Sequence, residues 1–432
     1  MWRFDPESST EAPPNRVLDS LIGAYPLFWA ARLGGLAANF GGIALGHAAE
    51  SGSIMANPVH HDAGTEAGEG LKAWRLYLRT CIENAASDLH IKSDAPPKIR
   101  IRGELRKMAA PNCTKDLMFQ IAKDVLDESQ YEMFSQKGQI DFAYDYESTN
   151  SDDDVVRRFR VNLFMARGKP AIAARLITSQ IMDFESLNLP EVLGEVSMRA
   201  QGLILFAGVT GSGKSTSIAS MLQYVNQRKR CHIVTIEDPI EYLFQDDKAN
   251  INQREVGIDC LSFNEALRAL VREDPDIVLV GEMRDYETFE AAIRAAETGH
   301  LVFGTIHASS AWQTFGRIYD LFPEGEREQI RKLLSYNLQA IIYQRLLPTL
   351  KPEVARAPAL EILLNTPIVQ KYILEGREKD LLEVMKNSTD EGMQDFTTAL
   401  ADLVESEMVH HKVAIEASPR PEELKMRLKG IG

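Results

Sequence analysis

The sequence predicts a two-part α/β chain: a small α+β domain with an antiparallel sheet, then a larger α/β domain on a mainly parallel sheet. Three observations carry this. Residues 71 to about 182 hold short runs of alternating apolar and polar residues joined by turn residues, the pattern of half-buried antiparallel strands. From Gly202 onward, continuous apolar runs such as Leu203–Ala207 and Ile277–Val280 alternate with amphipathic helices, as in parallel strands covered on both faces. Between the first such run and its helix lies a glycine-rich loop. The composition agrees: 432 residues, 44% hydrophobic and 25% charged, describe an ordinary globular chain rather than a fibrous, disordered or multi-span one. Lys and Arg total 48 against 62 Asp and Glu, a formal charge of −14, which argues against a chain built to coat nucleic acid. Four scattered cysteines with no C-x-x-C pair read as reduced thiols of a cytosolic protein, not as a zinc site.

Residues 1–70 form a glycine-rich leader. Its apolar stretch from Leu21 to Leu45 is long enough to span a bilayer, but Arg32 at its centre would cost about 2.5–3.5 kcal/mol there. The acidic residues before it do not suit a secretory signal. The leader is therefore expected to be disordered or weakly membrane-associating, and residues 1–54 to be dispensable. Met55 is an alternative start.

In the small domain, residues 71–182, Leu71, Trp74, Leu78 and Ile82 fall on one face of a helix over 71–84. Strands are predicted over 86–91, 98–102, 141–146, 155–165 and 171–177, with a helix over 114–126 and a hairpin turn at Arg167-Gly168-Lys169-Pro170. Residues 183–198 read as a linker. In the larger domain, 199–432, strands are expected at 203–207, 232–236, 277–280 and 301–306, with helices from Ser215, Ser262 and Asp285 and a helical C-terminal region.

The loop Gly208-Val209-Thr210-Gly211-Ser212-Gly213-Lys214-Ser215-Thr216 fits G-x-x-x-x-G-K-[ST], with a strand before it and a helix after. The glycines let backbone N–H groups wrap phosphate oxygens, and the helix start adds its dipole. Lys214 suits the β and γ phosphates of ATP, and the Ser215 hydroxyl suits Mg²⁺. Two strands then run into acids: Glu237-Asp238-Pro239-Ile240-Glu241 and Gly281-Glu282. Both reach the carboxyl edge of the sheet, where ligands of open α/β sheets bind. One acid near Mg²⁺ and one near the attacking water is the minimum for hydrolysis; Glu282 suits such a role, whereas Asp238 and Asp285 read equally well as helix caps. His300 and His307 bracket the strand after Glu282 and point to a γ-phosphate role.

These segments resemble the secretion-ATPase superfamily of type II secretion and type IV pili, most of all its twitching-motility retraction branch, PilT and PilU. The matching pieces are 208–216, 236–241, Asn252-Gln253-Arg254-Glu255-Val256, Arg272-Glu273-Asp274-Pro275-Asp276, 281–285 and 295–300, with 86–91 and Arg158-Phe159-Arg160-Val161-Asn162 in the first domain. The likeness covers roughly residues 71–425. It implies a PAS-like domain followed by a RecA-like ATPase domain, and a homo-hexameric, ATP-hydrolysing ring that drives pilus retraction. It implies that Glu241 orients water beside Glu237, that Glu282 lies near Mg²⁺, that His300 and His307 form a histidine box, and that Arg160 and Arg175 reach the nucleotide from the small domain. It also implies a place on the cytoplasmic side of the inner membrane at the pilus base, a platform protein as partner, and possibly a paralogous ring ATPase.

Two departures bear on direction. The tetracysteine insert and longer docking region usual in assembly and secretion members are missing, which favours retraction. The Ala-Ile-Arg-Asn-Leu-Ile-Arg-Glu signature of the retraction branch is missing too; Glu361-Ile362-Leu363-Leu364-Asn365-Thr366-Pro367 and Gly392-Met393-Gln394-Asp395-Phe396 stand there, closer to PilU. The alternatives are a pilus-assembly or type II secretion ATPase, or a ring that assists another motor. A nucleic-acid motor would want a basic pore or stacking aromatics, and a non-hydrolysing scaffold would have lost Lys214, Glu241 or Glu282.

Overall fold

The computed structural model describes residues 68–101, 103–147, 156–177, 180–270, 272–351 and 354–430. The expected leader lies outside them except for residues 68–70, which open the first helix.

That helix, Glu69–Glu83, buries Trp74, Tyr77, Leu78 and Cys81, a stripe at helical spacing. A second helix, Lys115–Val125, starts at Thr114, whose side chain accepts the Leu117 N–H. A third, Glu128–Lys137, starts with a reciprocal Asp127–Gln130 capping box and stops at Gly138 in the left-handed conformation. Six strands accompany them: β1 (Asp88–Lys92), β2 (Lys98–Ile101), β3 (Glu104–Lys107), β4 (Gln139–Tyr146), β5 (Arg157–Ala166) and β6 (Lys169–Leu176). They pair antiparallel in the order β3-β2-β1-β6-β5-β4.

The expected four-residue turn is shorter in the structure. Arg167 and Gly168, both with positive φ, make the two-residue link between β5 and β6, and Lys169 and Pro170 join the strand. Leu89, Phe142, Val161, Leu163 and Ile172 face the helices and close a core around Trp74, whose ring meets Tyr144 edge-on at 5.7 Å. Strand alternation sends Arg158, Arg160 and Arg175 to the other face of this sheet.

Between the sheets, the stretch expected as a linker carries two short helices, Phe184–Leu187 and Val192–Ser197. The second sheet comprises β7 (Gly202–Ala207), β8 (His232–Glu237), β9 (Asn250–Glu255), β10 (Ile277–Val280), β11 (Leu301–Ile306), β12 (Leu338–Pro348) and β13 (Arg356–Leu364). Its order is β13-β12-β7-β11-β10-β8-β9, parallel throughout except for the antiparallel β12–β13 pair. β7, β10 and β11 are buried along their whole length. Helices Lys214–Asn226, Phe263–Leu270, Tyr286–Glu297 and Ala311–Leu321 cover the two faces. Asp285 caps the third of these through the Thr288 N–H.

Four strands escaped the sequence reading: β3, which is short and exposed along its length, and β9, β12 and β13. β9 is a mostly polar edge strand, so it lacks an apolar signal. β12 follows directly on helix Arg327–Asn337 with no Gly or Pro to mark the change, and β13 pairs with it along its length and bridges Gln394 through Ile362.

Gly70 lies where the first two helices touch: a Cβ there would fall 2.5 Å from the carbonyl carbon of Gln120 and 2.6 Å from the Ile121 nitrogen. Backbone cannot yield as a side-chain tip can. Gly70→Ala is expected to cost about 1–3 kcal/mol by overpacking, read as a lower thermal midpoint. Leu76→Ala, at an exposed position on the same helix, is the control. Equal midpoints for the two variants would mean that the helices part freely.

Candidate active site

Parallel pairing aligns the carboxyl ends of β7, β8, β10 and β11 along one edge, and the loops leaving that edge surround a cavity of about 310 Å³. Its wall includes Thr210, Gly211, Gly213, Lys214, Ser215, Thr216, Glu237, Glu241, Glu282 and His307. Gly208 and Ser212 complete the phosphate loop. The loop turns through positive φ at Gly208, Gly211 and Gly213.

Gln344 of β12, which the sequence reading missed, props this loop from behind. It is buried; its Nε2 donates to the Ser212 carbonyl at 2.9 Å and its Oε1 accepts the Ser217 hydroxyl at 2.8 Å. A Cβ on Gly213 would sit 2.7 Å from Gln344 Nε2, and one on Gly208 would sit 2.5 Å from the Gln344 carbonyl. Glycine is thus required here by close approach as well as by φ. No local signal ties Gln344 to the loop, because the two are about 130 residues apart and meet only through strand pairing.

Lys214 Nζ donates to the Gly208 and Val209 carbonyls at 2.9 and 3.1 Å. Burial lowers its pKa, while Glu282 and Glu241 pull the other way. Glu282 is held below the usual carboxylate range, chiefly by a 2.5 Å hydrogen bond from Arg284 and also by the charges of His307 and Lys214, against the opposing effect of burial.

Its Oε1 is buried and accepts no hydrogen bond, although His307 Nε2 lies 3.0 Å away. A buried carboxylate oxygen left free beside the Ser215 hydroxyl suits a hard cation such as Mg²⁺, so these residues fit the expected ion. His307 Nδ1 lies 3.0 Å from the Gly208 carbonyl. The ring therefore donates there, and Nε2 carries a proton toward Glu282 only in the imidazolium form.

The two acids at the end of β8 and in the loop after it differ. Glu241 is exposed in the cavity. Glu237 is buried, accepts from Thr235 Oγ1 at 2.7 Å, Gln253 Nε2 at 3.3 Å and the Glu241 N–H, and burial raises its pKa to about 7. Other cavity residues absent from the expected set are Asp238, Arg284 and Arg356. The Tyr242 hydroxyl lies 2.7 Å from Oγ1 of the wall residue Thr216.

The chain does not bring every expected residue together. His300 stands before β11 and His307 after it. At about 3.3 Å per residue, six residues of strand separate the two by roughly 20 Å. The His300 ring lies 2.9 Å from the Ala295 carbonyl, at the C-terminal end of helix Tyr286–Glu297. Only His307 reaches the phosphate loop. Arg160 and Arg175 are direct cross-strand partners on β5 and β6, but neither lines the cavity. Arg175 Nε is parked on Asp88 Oδ1 at 2.9 Å.

A phosphate loop after one strand of a parallel sheet, with acids at the ends of two further strands of that sheet, defines a RecA-like P-loop ATPase fold. The particular lineage follows from comparison: the chain belongs to the type II/IV secretion system protein family, which matches residues 71–410. It is 40% identical over 340 residues to the type IV pilus retraction ATPase PilT of Pseudomonas aeruginosa, covering 79% of this chain and 96% of that protein. It is 36% identical over 352 residues to the type IV pilus ATPase PilU of the same organism, covering 82% and 90%. Among solved structures, the pilus retraction motor PilT with bound ADP superposes with a TM-score of 0.74 at 43% identity, over 81% of this chain and 98% of that one. The ATPase DotB of Legionella pneumophila, at 24% identity and a TM-score of 0.66 over 83% and 98%, shares the fold. Among the described residues, no helix is long and apolar enough to cross a membrane.

Glu237 gives the site a pH signature. A carboxyl whose pKa is raised to about 7 in the fold, from about 4.5, holds its proton more tightly when folded. It therefore favours folding below pH about 4.5, and that contribution is lost as pH rises through about 7. Glu237→Gln keeps the neutral shape at every pH. In the nucleotide-free protein it is expected to melt progressively higher than wild type as pH rises from 5 to 8. Glu361, also raised to about 7 by burial, titrates equally in both proteins, so the difference reports Glu237. Parallel pH profiles would show Glu237 ionised throughout.

Proposed function

We propose that this chain is the ATP-hydrolysing subunit of a hexameric motor that retracts type IV pili at the cytoplasmic side of the inner membrane, docked on a platform protein. The observation that carries hydrolysis is the division of labour at and after the end of β8. Glu241 is free in the cavity while Glu237 is buried and fully engaged, which supports reading Glu241 as the water-orienting carboxylate and Glu237 as its brace. The PilT relatives and the missing tetracysteine insert support retraction. A role assisting a second ring ATPase is favoured by the PilU relative and by residues 361–367 and 392–396.

In this reading ATP draws Lys214 off the Gly208 and Val209 carbonyls onto its β and γ phosphates, and the loop amides wrap the oxygens. Ser215 and Glu282 would hold Mg²⁺, which would supply charge neutralisation at the phosphates. Glu241 aligns the attacking water and takes its proton. His307 links the loop carbonyl to Glu282, which places it to report the γ-phosphate. Residues 182–188 and the β12–β13 connection line a neighbouring cleft that shares Gly213, Thr216, Leu346 and Arg356 with the phosphate cavity; this cleft would take the nucleoside. Arg160 and Arg175 complete the site when the small sheet closes on it, within the chain or from a ring neighbour. Arg175 then exchanges the Asp88 carboxylate for phosphate, one charge-assisted contact for another.

Two sets of variants test this. Lys214→Ala should weaken ATP binding, whereas Glu241→Gln should bind ATP normally and hydrolyse it about 10²–10⁴-fold more slowly. Calorimetry and steady-state turnover separate the two effects, and wild-type turnover in Glu241→Gln would move the base to another carboxylate. Arg160→Ala and Arg175→Ala should lose affinity modestly and turnover heavily, since a transition-state guanidinium contributes mainly to kcat. Wild-type rates in both would make them surface residues. In cells, deletion of the gene should abolish twitching and leave long pili; short or absent pili would instead indicate assembly.

A further inference from the structure

Arg158 and Glu255 belong to different sheets and meet out of solvent. Arg158 Nη1 lies 3.5 Å from Asp145 Oδ2 on neighbouring β4, and its Nη2 lies 3.8 Å from Glu255 Oε2 at the end of β9. The three side chains are only 13%, 15% and 5% exposed. Attraction between such charges is weakly screened, and removing one partner strands the others. Arg160 and Asp259 also face Glu255.

Glu255 does more than face the small sheet. It pairs with Glu237 in the β8–β9 register, and the Val256 N–H donates to the Glu237 carbonyl at 2.8 Å. Its carboxylate accepts the Ile240 N–H, while the Glu237 carboxylate accepts the Glu241 N–H. Two buried carboxylates thus hold two consecutive amides of the acid loop. Of these two, Glu255 is the one ion-paired to the small sheet.

We propose that Arg158 is a positioning residue for Glu241: its ion pair with Glu255 transmits the placement of the small sheet to the acid loop, so that the loop is aligned for hydrolysis only when the two sheets are engaged. This rests on the reading of Glu241 as the residue that orients water. The coupling runs through one chain of contacts, Arg158 to Glu255 to the Ile240 amide to Glu241. It needs no movement of the phosphate loop. Binding and turnover should therefore separate.

The test is steady-state ATPase kinetics of the full chain carrying Arg158→Gln, Glu255→Gln or both, with ADP affinity measured by calorimetry. Each single variant should lower kcat about ten- to a hundredfold, as a small misplacement of a reacting group does, while KM and ADP affinity stay within about twofold. The double variant should be no slower than the slower single, because both break the same link. Should Arg158→Gln fail to fold, Glu255→Gln carries the test, since its amide keeps the volume and the acceptor for Ile240.

Wild-type kcat in both singles, multiplying losses in the double, or a loss confined to KM would overturn the proposal. If Glu241→Gln is slow while these variants turn over normally, the positioning role alone fails. If Glu241→Gln matches wild type, the hydrolytic reading fails and takes this inference with it.

Discussion

The site depends on parallel pairing of β7, β8, β10 and β11. Parallel strands in register end together, so the loops that follow them start from one line. That line receives the phosphate loop, the Glu237–Glu241 acids, Glu282 and His307 from four separate stretches of chain. Burial of β7, β10 and β11 along their whole length holds the register, since a one-residue slip would leave the core packing unsatisfied. The phosphate loop is then wedged from the far side by Gln344, whose two hydrogen bonds replace what water would otherwise supply to a buried carbonyl and a buried hydroxyl.

The carboxylates around the cavity are set apart by their surroundings rather than by their chemistry. Glu282 is kept ionised by Arg284, its hydrogen-bond donor, and by the charges of His307 and Lys214. Glu237 is pushed toward neutrality by burial. Glu241, exposed between them, keeps a free carboxylate for solvent. A pair of acids with divergent environments is a familiar way for one site to separate proton handling from metal binding. Here the divergence follows from how far each residue stands from the end of its strand: Glu237 ends β8 and is buried, while Glu241 lies four residues further on, in the loop.

Among the described residues the small sheet contributes none to the cavity wall. On its outward face Arg160 and Arg175 lie side by side on β5 and β6, and Arg175 pairs with Asp88. Arg158, two residues before Arg160, is already engaged with Glu255.

The sequence by itself determined the phosphate loop, the four strands around it, the hairpin of the small domain and the acids at the sheet edge. These are local: G-x-x-x-x-G-K-[ST] encodes its own backbone path, and apolar runs report burial wherever they pair. The family likeness was legible for the same reason, being carried by short contiguous motifs. Tertiary structure alone decided what depends on pairing. It brought Gln344 under a loop about 130 residues away through β12, a strand with no boundary residue to announce it, and added β9 as a polar edge. It separated His300 from His307, which sequence proximity had joined, because a strand between two residues holds them at its opposite ends. It also distinguished Glu237 from Glu241, two glutamates of one motif, by burying the first and leaving the second in the cleft. Burial and long-range contact are properties of the packed chain, and no short window of residues contains them.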